Sequence, residues 1–495
     1  MLPSSEKAVF TNPVIPGFNP DPSICRVGED YFLVVSTFGY FPGIPVYHSQ
    51  DLAHWTQISH VIADEGMLDY SGMSVNEGIW APTIRHHNGV FYVVATLARN
   101  LTSEKTFVCT ASDPAGPWSS PVELDAKGID PSLFFDDDGV CWFTMARDCL
   151  CGDGGPGEIW MRRLDLANLQ LVGQTHILWH GAVRGAWIEA PHQYYHDGRY
   201  HLLVAEGGTG RNHSVTAAIS ENVTGPYRVD PRSPLLTHRH LGKEELIQNV
   251  GHVDLVDTPD GDWWAVGLAV RAKDDAHVLG RETFLIPASW SPDGIVFAPG
   301  VGRIQEQGEV KLAARSVEED SAWMSLRGLA SYSHGPGGVL LTPSNEDLSG
   351  TGTPAFLARR QQHEEFSWTC VLFPEQILPG IQAGLVAFVH EDRWATIGIM
   401  NGVLSVISRS NGDEKVLLEA PLDPENTDKL LDSVSLVIRG NGSTYEFSCG
   451  TRATQVCRSF FSTEDAGGFV GTTLGLFAIG DSATPVSFAD IEYTH

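Results

Sequence analysis

Five residues with reactive or sugar-binding side chains stand at similar distances ahead of five aromatic-rich segments. They are Asp21, Trp80, Asp130, Glu189 and His252. They precede the leading aromatic residue of their segments by 10, 11, 12, 11 and 11 residues. Because strands in a common register point corresponding side chains the same way, this spacing predicts that the five side chains converge on one axis.

Three carboxylates in one place have a specific chemical use. Like charges at close range raise one another's pKa, so part of the group keeps a proton near neutral pH. One protonated carboxylic acid and one ionised carboxylate are the minimum for glycoside hydrolysis. The third carboxylate can raise the pKa of the acid and hold its orientation. Phe38 and Trp80 would offer flat apolar faces to a sugar ring.

Each of these residues also has a purely structural interpretation. An Asp-Pro pair, as at 21–22 and 130–131, is most often part of a turn. Glu189 lies in the apolar run Ala-Trp-Ile-Glu-Ala-Pro, where a buried carboxylate without a role is costly. His252 could ligate a metal ion or serve as a structural histidine. The shared spacing favours a functional interpretation for the three carboxylates together.

The elements that would position these residues repeat along the first part of the chain. Five segments join an acidic or Asn-Gly turn to alternating bulky residues, which is typical of a β-hairpin. Their leading aromatics, spaced by 60, 51, 58 and 63 residues, are Tyr31, Phe91, Trp142, Tyr200 and Trp263. A period of this size holds about four strands with their loops, which predicts five blades of a β-propeller. An ordinary β-sandwich with coincidental spacing is the alternative.

The second part of the chain has another pattern. Alternating strands such as 383–390 and 433–439 are separated by Asn-Gly turns, which predicts a β-sandwich. The fold is therefore predicted to be all-β, with a five-bladed β-propeller followed by a β-sandwich of the concanavalin-like jelly-roll type. The predicted bounds are 1–305 for the propeller, 306–330 for a connecting region and 331–495 for the sandwich, which packs on the propeller.

Composition argues against several classes of function. Asp and Glu number 61 against 32 Lys and Arg, and the resulting net charge of −29 disfavours nucleic acid or an anionic membrane as partner. No apolar run reaches the length of a membrane-spanning helix. The motif GGTGRNH (207–213) resembles a phosphate loop but precedes no helical pattern, so nucleotide binding is not expected.

The start of the chain and the cysteines give further expectations. The first residues contain no apolar segment of a secretory signal, which favours a cytoplasmic protein, or a secreted one whose signal has been removed. Cys149 and Cys151 would form a metal site only with two more ligands. Cys449 and Cys457 could face each other across a hairpin and form a disulfide, if the geometry allows it.

Several motifs together resemble glycoside hydrolase family 43, on the branch of β-xylosidases and α-L-arabinofuranosidases with a C-terminal sandwich domain. They include PGFNPDPSICRVGEDYFLVVSTF (16–38), GIWAPTIRH (78–86), GIDPSLFFDDDG (128–139), WIEAPHQYY (187–195) and VLGRETFL (278–285). The resemblance implies a five-bladed propeller, inversion of configuration and no covalent intermediate. The chain has Phe38-Gly39-Tyr40 where many xylosidases have Phe-Glu-Trp, so the sugar preference stays open.

The resemblance implies a role for each carboxylate. Asp21 corresponds to the general base and Glu189 to the general acid. Asp130 corresponds to the carboxylate that raises the pKa of the acid and positions it. For an inverting enzyme, the carboxyl groups of Asp21 and Glu189 are expected to lie roughly 6.5–9.5 Å apart, which leaves room for a water molecule.

The resemblance also implies the sugar-binding residues. Arg281 would donate hydrogen bonds to sugar hydroxyls in the −1 subsite, and Phe38 and Trp80 would form aromatic walls. His252 corresponds to a central histidine that, in some members, approaches a calcium ion through water. No cofactor is expected to be required, and any calcium in the propeller channel is expected to be structural.

The sequence therefore predicts an exo-acting, inverting glycosidase that releases terminal pentoses from xylo-oligosaccharides or arabinoxylan. β-D-Xylosidase activity is favoured, alone or together with a second, α-L-arabinofuranosidase activity. An α-L-arabinofuranosidase that debranches arabinoxylan is the alternative. A non-catalytic carbohydrate-binding protein built on an inactive hydrolase is the alternative from another class. The oligomeric state is not predicted.

Overall fold

The chain folds almost entirely into β-strands. The computed structural model describes residues 7–148, 157–183, 187–314, 323–335, 337–422 and 432–495. The helical segments of these ranges are two 3₁₀ turns and one short α-helix, namely Pro374–Gln376, Arg458–Phe461 and Thr463–Ala466. In the part of the chain so described, no helix is long and apolar enough to cross a membrane.

Five four-stranded antiparallel sheets follow one another along the chain as the blades of the propeller. Blade 1 has the strands Ser23–Val27, Asp30–Val34, Gly43–Ser49 and Thr56–Ile62. Blade 2 has Gly78–His87, Val90–Arg99, Thr102–Ala111 and Val122–Leu124. Blade 3 has Ile129–Phe135, Cys141–Arg147, Glu158–Asp165 and Gln170–Trp179. Blade 4 has Ile188–His196, Arg199–Glu206, Ser214–Ser220 and Arg228–Val229. Blade 5 has Ile247–Asp257, Trp263–Arg271, Glu282–Ser291 and Gly294–Phe297.

The alternation of side chains along each strand builds the cores between the blades. Successive residues of a strand point to opposite faces of its sheet. In blade 1, Phe32 packs in a core shared with Phe91 of blade 2, whereas the next residue, Leu33, packs in a core shared with Val266 of blade 5. Similar buried clusters fill the spaces between the other neighbouring blades. The aromatic-rich hairpins therefore wedge the blades together on both faces.

The N-terminal segment closes the ring between blades 1 and 5. Lys7–Thr11 pairs with Gln307–Ala313 as a two-stranded antiparallel sheet. Further along, the Asn12 side-chain amide donates to the Leu285 carbonyl at 2.9 Å, and the Asn19 amide nitrogen donates to the Arg281 carbonyl at 3.0 Å. These bonds tie the segment before Asp21 to the third strand of blade 5.

The C-terminal domain is a sandwich of two antiparallel sheets. The first sheet contains, in hydrogen-bonding order, Tyr332–Gly335, Gly338–Leu341, Val486–Thr494, Glu365–Leu372, Val434–Asn441, Thr444–Cys449 and Arg452–Cys457. The second contains Phe356–Arg360, Thr473–Ile479, Gln382–His390, Arg393–Met400, Val403–Ser410 and Asp413–Pro421. The all-β prediction of a propeller followed by a concanavalin-like sandwich is confirmed.

The sandwich and the propeller share one apolar core. Phe18 and Tyr40 of the propeller are fully buried in the same cluster as Phe356 and Trp368 of the sandwich. The backbones also approach closely, because a Cβ atom at Gly280 would lie only 2.8 Å from the Gly471 Cα atom. The sandwich is thus held rigidly against the face of the propeller that carries the predicted site.

The segment between the two domains contributes strands to the propeller side. The short strand Ser325–Leu326 pairs with Tyr40–Phe41, and Gln307–Ala313 pairs with the N-terminal strand. Both lie within the predicted connecting region, 306–330. The predicted domain bounds themselves stay predictions.

The cysteine expectations have different outcomes. Cys449 stands opposite Arg452 and Cys457 opposite Thr444 in the hairpin, and both thiols are free. The expected disulfide is therefore wrong, because the two cysteines belong to different rungs of the ladder. Cys149 and Cys151 lie outside the residues that the structure describes.

Candidate active site

The predicted site residues line a single pocket where the first strands of the blades begin. This cavity has a volume of about 480 Å³. Its lining includes all seven predicted residues, namely Asp21, Phe38, Trp80, Asp130, Glu189, His252 and Arg281. Residues far apart in sequence are therefore brought together as the spacing predicted.

A left-handed backbone residue recurs once at the start of each blade. These residues, with φ of 57°, 39°, 55°, 51° and 47°, are Asp21, Ala81, Asp130, Ala190 and His252. In blades 2 to 5 the strand pairing is also irregular at this point, as in a β-bulge. Bulges with unusual backbone angles re-aim side chains and are common beside active sites.

The predicted common register is wrong for Trp80 and Glu189. The structural counterparts of Asp21 in their blades are Ala81 and Ala190, so both side chains leave the strand one residue earlier. Counting back from the hairpin aromatic misses this because the hairpin turns of blades 3 and 5 are longer than the others. The bulge, and not a shared register, turns Glu189 into the pocket.

Asp21 is held as an anion by three neighbours. Arg281 Nη1 donates to Asp21 Oδ1 at 2.8 Å, and the Ser36 hydroxyl donates to Oδ2 at 2.6 Å. His252 Nδ1 lies 3.6 Å from Oδ1. Burial alone would raise the pKa of Asp21, but Arg281, His252 and Ser36 together lower it below its ordinary value. The group is therefore ionised at neutral pH.

Glu189 and Asp130 have the opposite character. Burial and the charge of Asp21 raise the pKa of Glu189 to about 7, although Arg281 opposes the shift. Burial, followed by the charges of Glu189 and Asp21, raises the pKa of Asp130 well above its ordinary value. Asp130 Oδ2 also accepts the amide N–H of Ala190 at 3.0 Å, which fixes the backbone next to Glu189. The two carboxyls cannot both be charged near neutral pH, so one proton stays on the pair.

Arg281 joins the anionic side of the pocket to its aromatic wall. Its guanidinium carbon lies 5.5 Å from the centre of the Phe38 ring. Its Nε is buried and has no hydrogen-bond partner among the described residues. A buried N–H without a partner is costly, so this nitrogen is available to a hydroxyl group of a ligand.

The sandwich domain contributes an aromatic side chain that the sequence patterns did not predict. Phe469 lines the pocket, with its ring centre 6.2 Å from that of Phe38 and 6.0 Å from that of Trp80. Its amide N–H donates to the Asn76 side-chain oxygen at 2.6 Å, which anchors the loop to the propeller. No periodicity in the sequence links this loop to the propeller, so only the contact between the domains identifies Phe469.

The segment GGTGRNH lines the pocket instead of binding a phosphate. Gly208, Thr209 and His213 all face the cavity. The His213 ring fills the space beside Gly251, where a Cβ atom would lie 2.3 Å from the ring. Burial lowers the pKa of His213 to about 4, despite its hydrogen bond to the Asn249 carbonyl, so the ring is neutral. The segment had been set aside because it precedes no helix; its proximity to the site comes from the blade geometry.

The Phe38-Gly39-Tyr40 segment has no room for the acidic side chain of the usual motif. A Cβ atom at Gly39 would lie 2.8 Å from the Val75 Cα atom. Tyr40 is fully buried, and its hydroxyl is 3.0 Å from that of Thr473 in the sandwich. This segment therefore presents only Phe38 to the pocket.

Comparisons with known proteins agree with this architecture. Residues 10–296 match the family model described as glycosyl hydrolases family 43, and residues 318–495 match the beta xylosidase C-terminal concanavalin A-like domain. The chain belongs to glycosyl hydrolase family 43. Members of this family invert the configuration at the hydrolysed sugar and generally need no cofactor.

The relatives match along nearly the whole chain. A protein of Butyrivibrio fibrisolvens named xylosidase/arabinosidase is 36% identical, over 98% of this chain and 98% of its own length. A non-reducing end alpha-L-arabinofuranosidase of Bacteroides ovatus is 31% identical, over 99% of this chain and 95% of its own. The crystal structure of a xylan beta-1,4-xylosidase from Bacillus halodurans aligns with a TM-score of 0.88 and 30% identity, over 98% of this chain and all of that one.

Beneath the pocket of this family 43 protein, Arg85 connects all five blades. From its strand in blade 2, its guanidinium donates twice to Asp254 of blade 5, at 2.7 and 3.0 Å. It also donates to the Leu133 carbonyl of blade 3 at 3.2 Å and to the Ser23 hydroxyl of blade 1 at 3.2 Å. His192 Nδ1 of blade 4 lies 3.1 Å from Nη2. One cation thus bonds to every blade at the axis.

Asp254 is the anionic partner at this axis. It is fully buried, and the hydroxyls of Ser23 and Tyr194 donate to it at 2.7 and 2.6 Å. Burial alone would raise its pKa, but Arg85 and then His192 hold the pKa well below its usual range. The buried charge is therefore fully compensated, as a stable interior requires.

A calcium ion held by protein groups does not fit this axis. The described ranges contain no group of three or more His, Cys, Asp or Glu side chains that could share a metal. Asp254 is already neutralised by Arg85, whose guanidinium would repel a second cation. Burial lowers the pKa of His192 to about 3, so this ring adds no charge. No step of the chemistry is assigned to a metal.

Replacing Arg85 by Met is expected to lower the free energy of unfolding by about 3–5 kcal/mol, because Asp254 would stay buried without its counter-charge. The measurement is urea denaturation at neutral pH. Arg26→Met is the matched control, since its ion pair with Asp257 also joins blades 1 and 5 but is partly exposed; a loss of about 0–1 kcal/mol is expected there. Equal losses in the two variants would contradict the role of Arg85.

Proposed function

We propose that this protein is an exo-acting, inverting β-D-xylosidase that removes terminal xylose from xylo-oligosaccharides. The observation that carries the proposal is the pairing, in one pocket, of an ionised Asp21 with a Glu189 whose pKa is raised to about 7. One base and one acid with separated pKa values are what glycoside hydrolysis requires.

In the proposed reaction, Glu189 gives its proton to the leaving oxygen as the glycosidic bond breaks. Asp21 takes a proton from the water molecule that attacks the anomeric carbon from the opposite face. Arg281 and Ser36 hold the two Asp21 oxygens in place, and Asp130 fixes Glu189 through the Ala190 amide. The separation of 6.5–9.5 Å between the two carboxyls stays a prediction.

The shape of the pocket supports attack at chain ends. Its floor lies over the closed axis of Arg85 and Asp254, and Phe469 of the sandwich stands over Phe38 and Trp80. A polysaccharide chain could not pass through a pocket that is closed at the base. One terminal sugar would enter, with its ring against the aromatic wall and a hydroxyl near Arg281.

α-L-Arabinofuranosidase activity is the second candidate. It is supported by the names of the relatives, one of which is a xylosidase/arabinosidase and another an arabinofuranosidase. The Gly39 position also lacks the acidic side chain common in xylosidases, and the backbone leaves no space for one. The water-mediated calcium at His252 stays a prediction, and nothing in the proposed reaction depends on it.

Initial rates on aryl β-D-xylopyranoside and aryl α-L-arabinofuranoside would test the sugar preference. We expect a higher kcat/KM for the xyloside, with Glu189→Gln as the blank. A higher kcat/KM for the arabinofuranoside would move the second candidate to first place. No turnover of either substrate by a folded wild-type protein would favour a non-catalytic carbohydrate-binding protein.

The leaving group separates the acid from the base. Glu189→Gln is expected to lower kcat/KM for xylobiose by about 10²–10⁴, which is the usual contribution of general acid catalysis. With 2,4-dinitrophenyl β-D-xyloside the loss should be about tenfold or less, because this leaving group departs without a proton. Asp21→Asn should impair both substrates equally, because the water still needs its base. A Glu189→Gln variant that lost both activities equally would contradict the assignment.

The pH profile of kcat/KM should be bell-shaped. Asp21 acts when ionised, so activity is lost only as the pH falls through a pKa below the ordinary value for aspartate. Glu189 acts when protonated, so activity is lost as the pH rises through about 7. Asp130→Asn removes a neighbouring carboxylate, and the alkaline limb should move to lower pH by about one unit. An unchanged alkaline limb would show that Asp130 does not raise the pKa of the acid.

A further inference from the structure

A second cavity opens beside the catalytic pocket, and it will be called the blade 3 cleft. It has a volume of about 540 Å³, against about 480 Å³ for the pocket itself. The two cavities share five lining residues, namely Trp80, Leu101, Ile129, Trp187 and Glu189. From there the cleft continues along blade 3 past Lys127 and Arg162. It is at least as large as the pocket that receives a whole terminal sugar.

The position of Glu189 gives this cleft a direction, and here the argument rests on the proposed function. The general acid protonates the leaving oxygen, so the rest of the substrate must start at Glu189. The blade 3 cleft contains Glu189. Another neighbouring cavity, towards blade 5 and the sandwich, is lined instead by Thr209, Arg281 and Phe469, on the side of the base. The leaving chain therefore extends into the blade 3 cleft.

The mouth of the cleft carries two exposed apolar side chains. Trp187 is 57% exposed and Leu101 is 56% exposed, although both lie at the boundary of the two cavities. The indole of Trp187 rests against Gly208, where a Cβ atom would lie 3.5 Å from its Cδ1. Large apolar groups left in water at the rim of a cleft mark a binding surface. An indole face is suited to the flat apolar face of a sugar ring.

Deeper in the cleft the lining becomes polar. The Nε of Arg162 is buried without a hydrogen-bond partner among the described residues, while its Nη2 donates to the Leu171 carbonyl at 3.0 Å. Lys127 is exposed at the same cleft. The wall behind them is fixed, because Arg147 pairs with Glu158 at 2.8 Å and lies over the Trp160 ring. Free donors beyond an aromatic platform match the hydroxyl groups of a second sugar.

We propose that the blade 3 cleft binds the reducing-side sugars of a neutral xylo-oligosaccharide, the first on Trp187 and Leu101 and the second beside Arg162 and Lys127. The enzyme then recognises substrates of at least three sugar units: one in the catalytic pocket and two in the cleft. Xylotriose is accordingly a better substrate than xylobiose, in terms of kcat/KM.

The test compares xylobiose and xylotriose with β-D-xylosyl fluoride, whose leaving group occupies none of the cleft. Trp187→Ala should lower kcat/KM for both oligosaccharides by about two- to tenfold, the usual range for an aromatic contact, and leave the fluoride unchanged. Lys127→Ala should lower kcat/KM for xylotriose alone. The matched control is Tyr195→Ala, an exposed aromatic on the first strand of blade 4 that lies outside both cavities.

The outcomes separate this proposal from the proposed function. A Trp187→Ala variant that loses activity on the fluoride as strongly as on the oligosaccharides would overturn the cleft proposal, because the residue would then act on Glu189. Equal kcat/KM values for xylobiose and xylotriose in the wild type, with no effect of Lys127→Ala, would also overturn it. Failure of the wild type to hydrolyse β-D-xylosyl fluoride at all would instead overturn the xylosidase assignment itself.

Discussion

The ion pair between Arg85 and Asp254 is the interaction on which the geometry of the site depends. Five first strands meet at the axis of the propeller, where backbone and side-chain polar groups are removed from water. One guanidinium reaches partners in every blade, and the carboxylate it neutralises also accepts hydroxyl hydrogen bonds. Because Asp21 and Glu189 belong to blades 1 and 4, their separation is set by this junction and by no local segment of chain. A looser axis would change the distance across which the water must act.

The same pocket shifts the pKa values of its carboxyls in opposite directions. Arg281 and Ser36 contact Asp21 directly and stabilise its anion. Glu189 and Asp130 have no such cationic contact among the printed distances of the described residues, and the charge of Asp21 raises the pKa of both. The ionised base therefore helps to keep the acid protonated. Burial is common to all three groups, so the placement of one arginine decides which carboxyl is the base.

The sandwich domain completes the site that the propeller begins. The two domains share an apolar core around Phe18 and Tyr40, which leaves little freedom for one to move against the other. This rigid contact brings Phe469 over the aromatic wall of the pocket. On the opposite side of the pocket the wall is open towards blade 3. The enclosed side suits a terminal sugar, and the open side suits the chain from which that sugar is cut.

The sequence alone determined the five hairpins, the two β domains and the seven residues of the pocket, because alternation and turn chemistry are local and repeat with each blade. It placed Glu189 in the wrong register, since a bulge and a longer turn change the count without changing the local pattern. Phe469 and the bridging role of Arg85 were decided only by tertiary structure. Both depend on contacts between segments that are distant in the chain, and such contacts leave no periodic trace in the sequence.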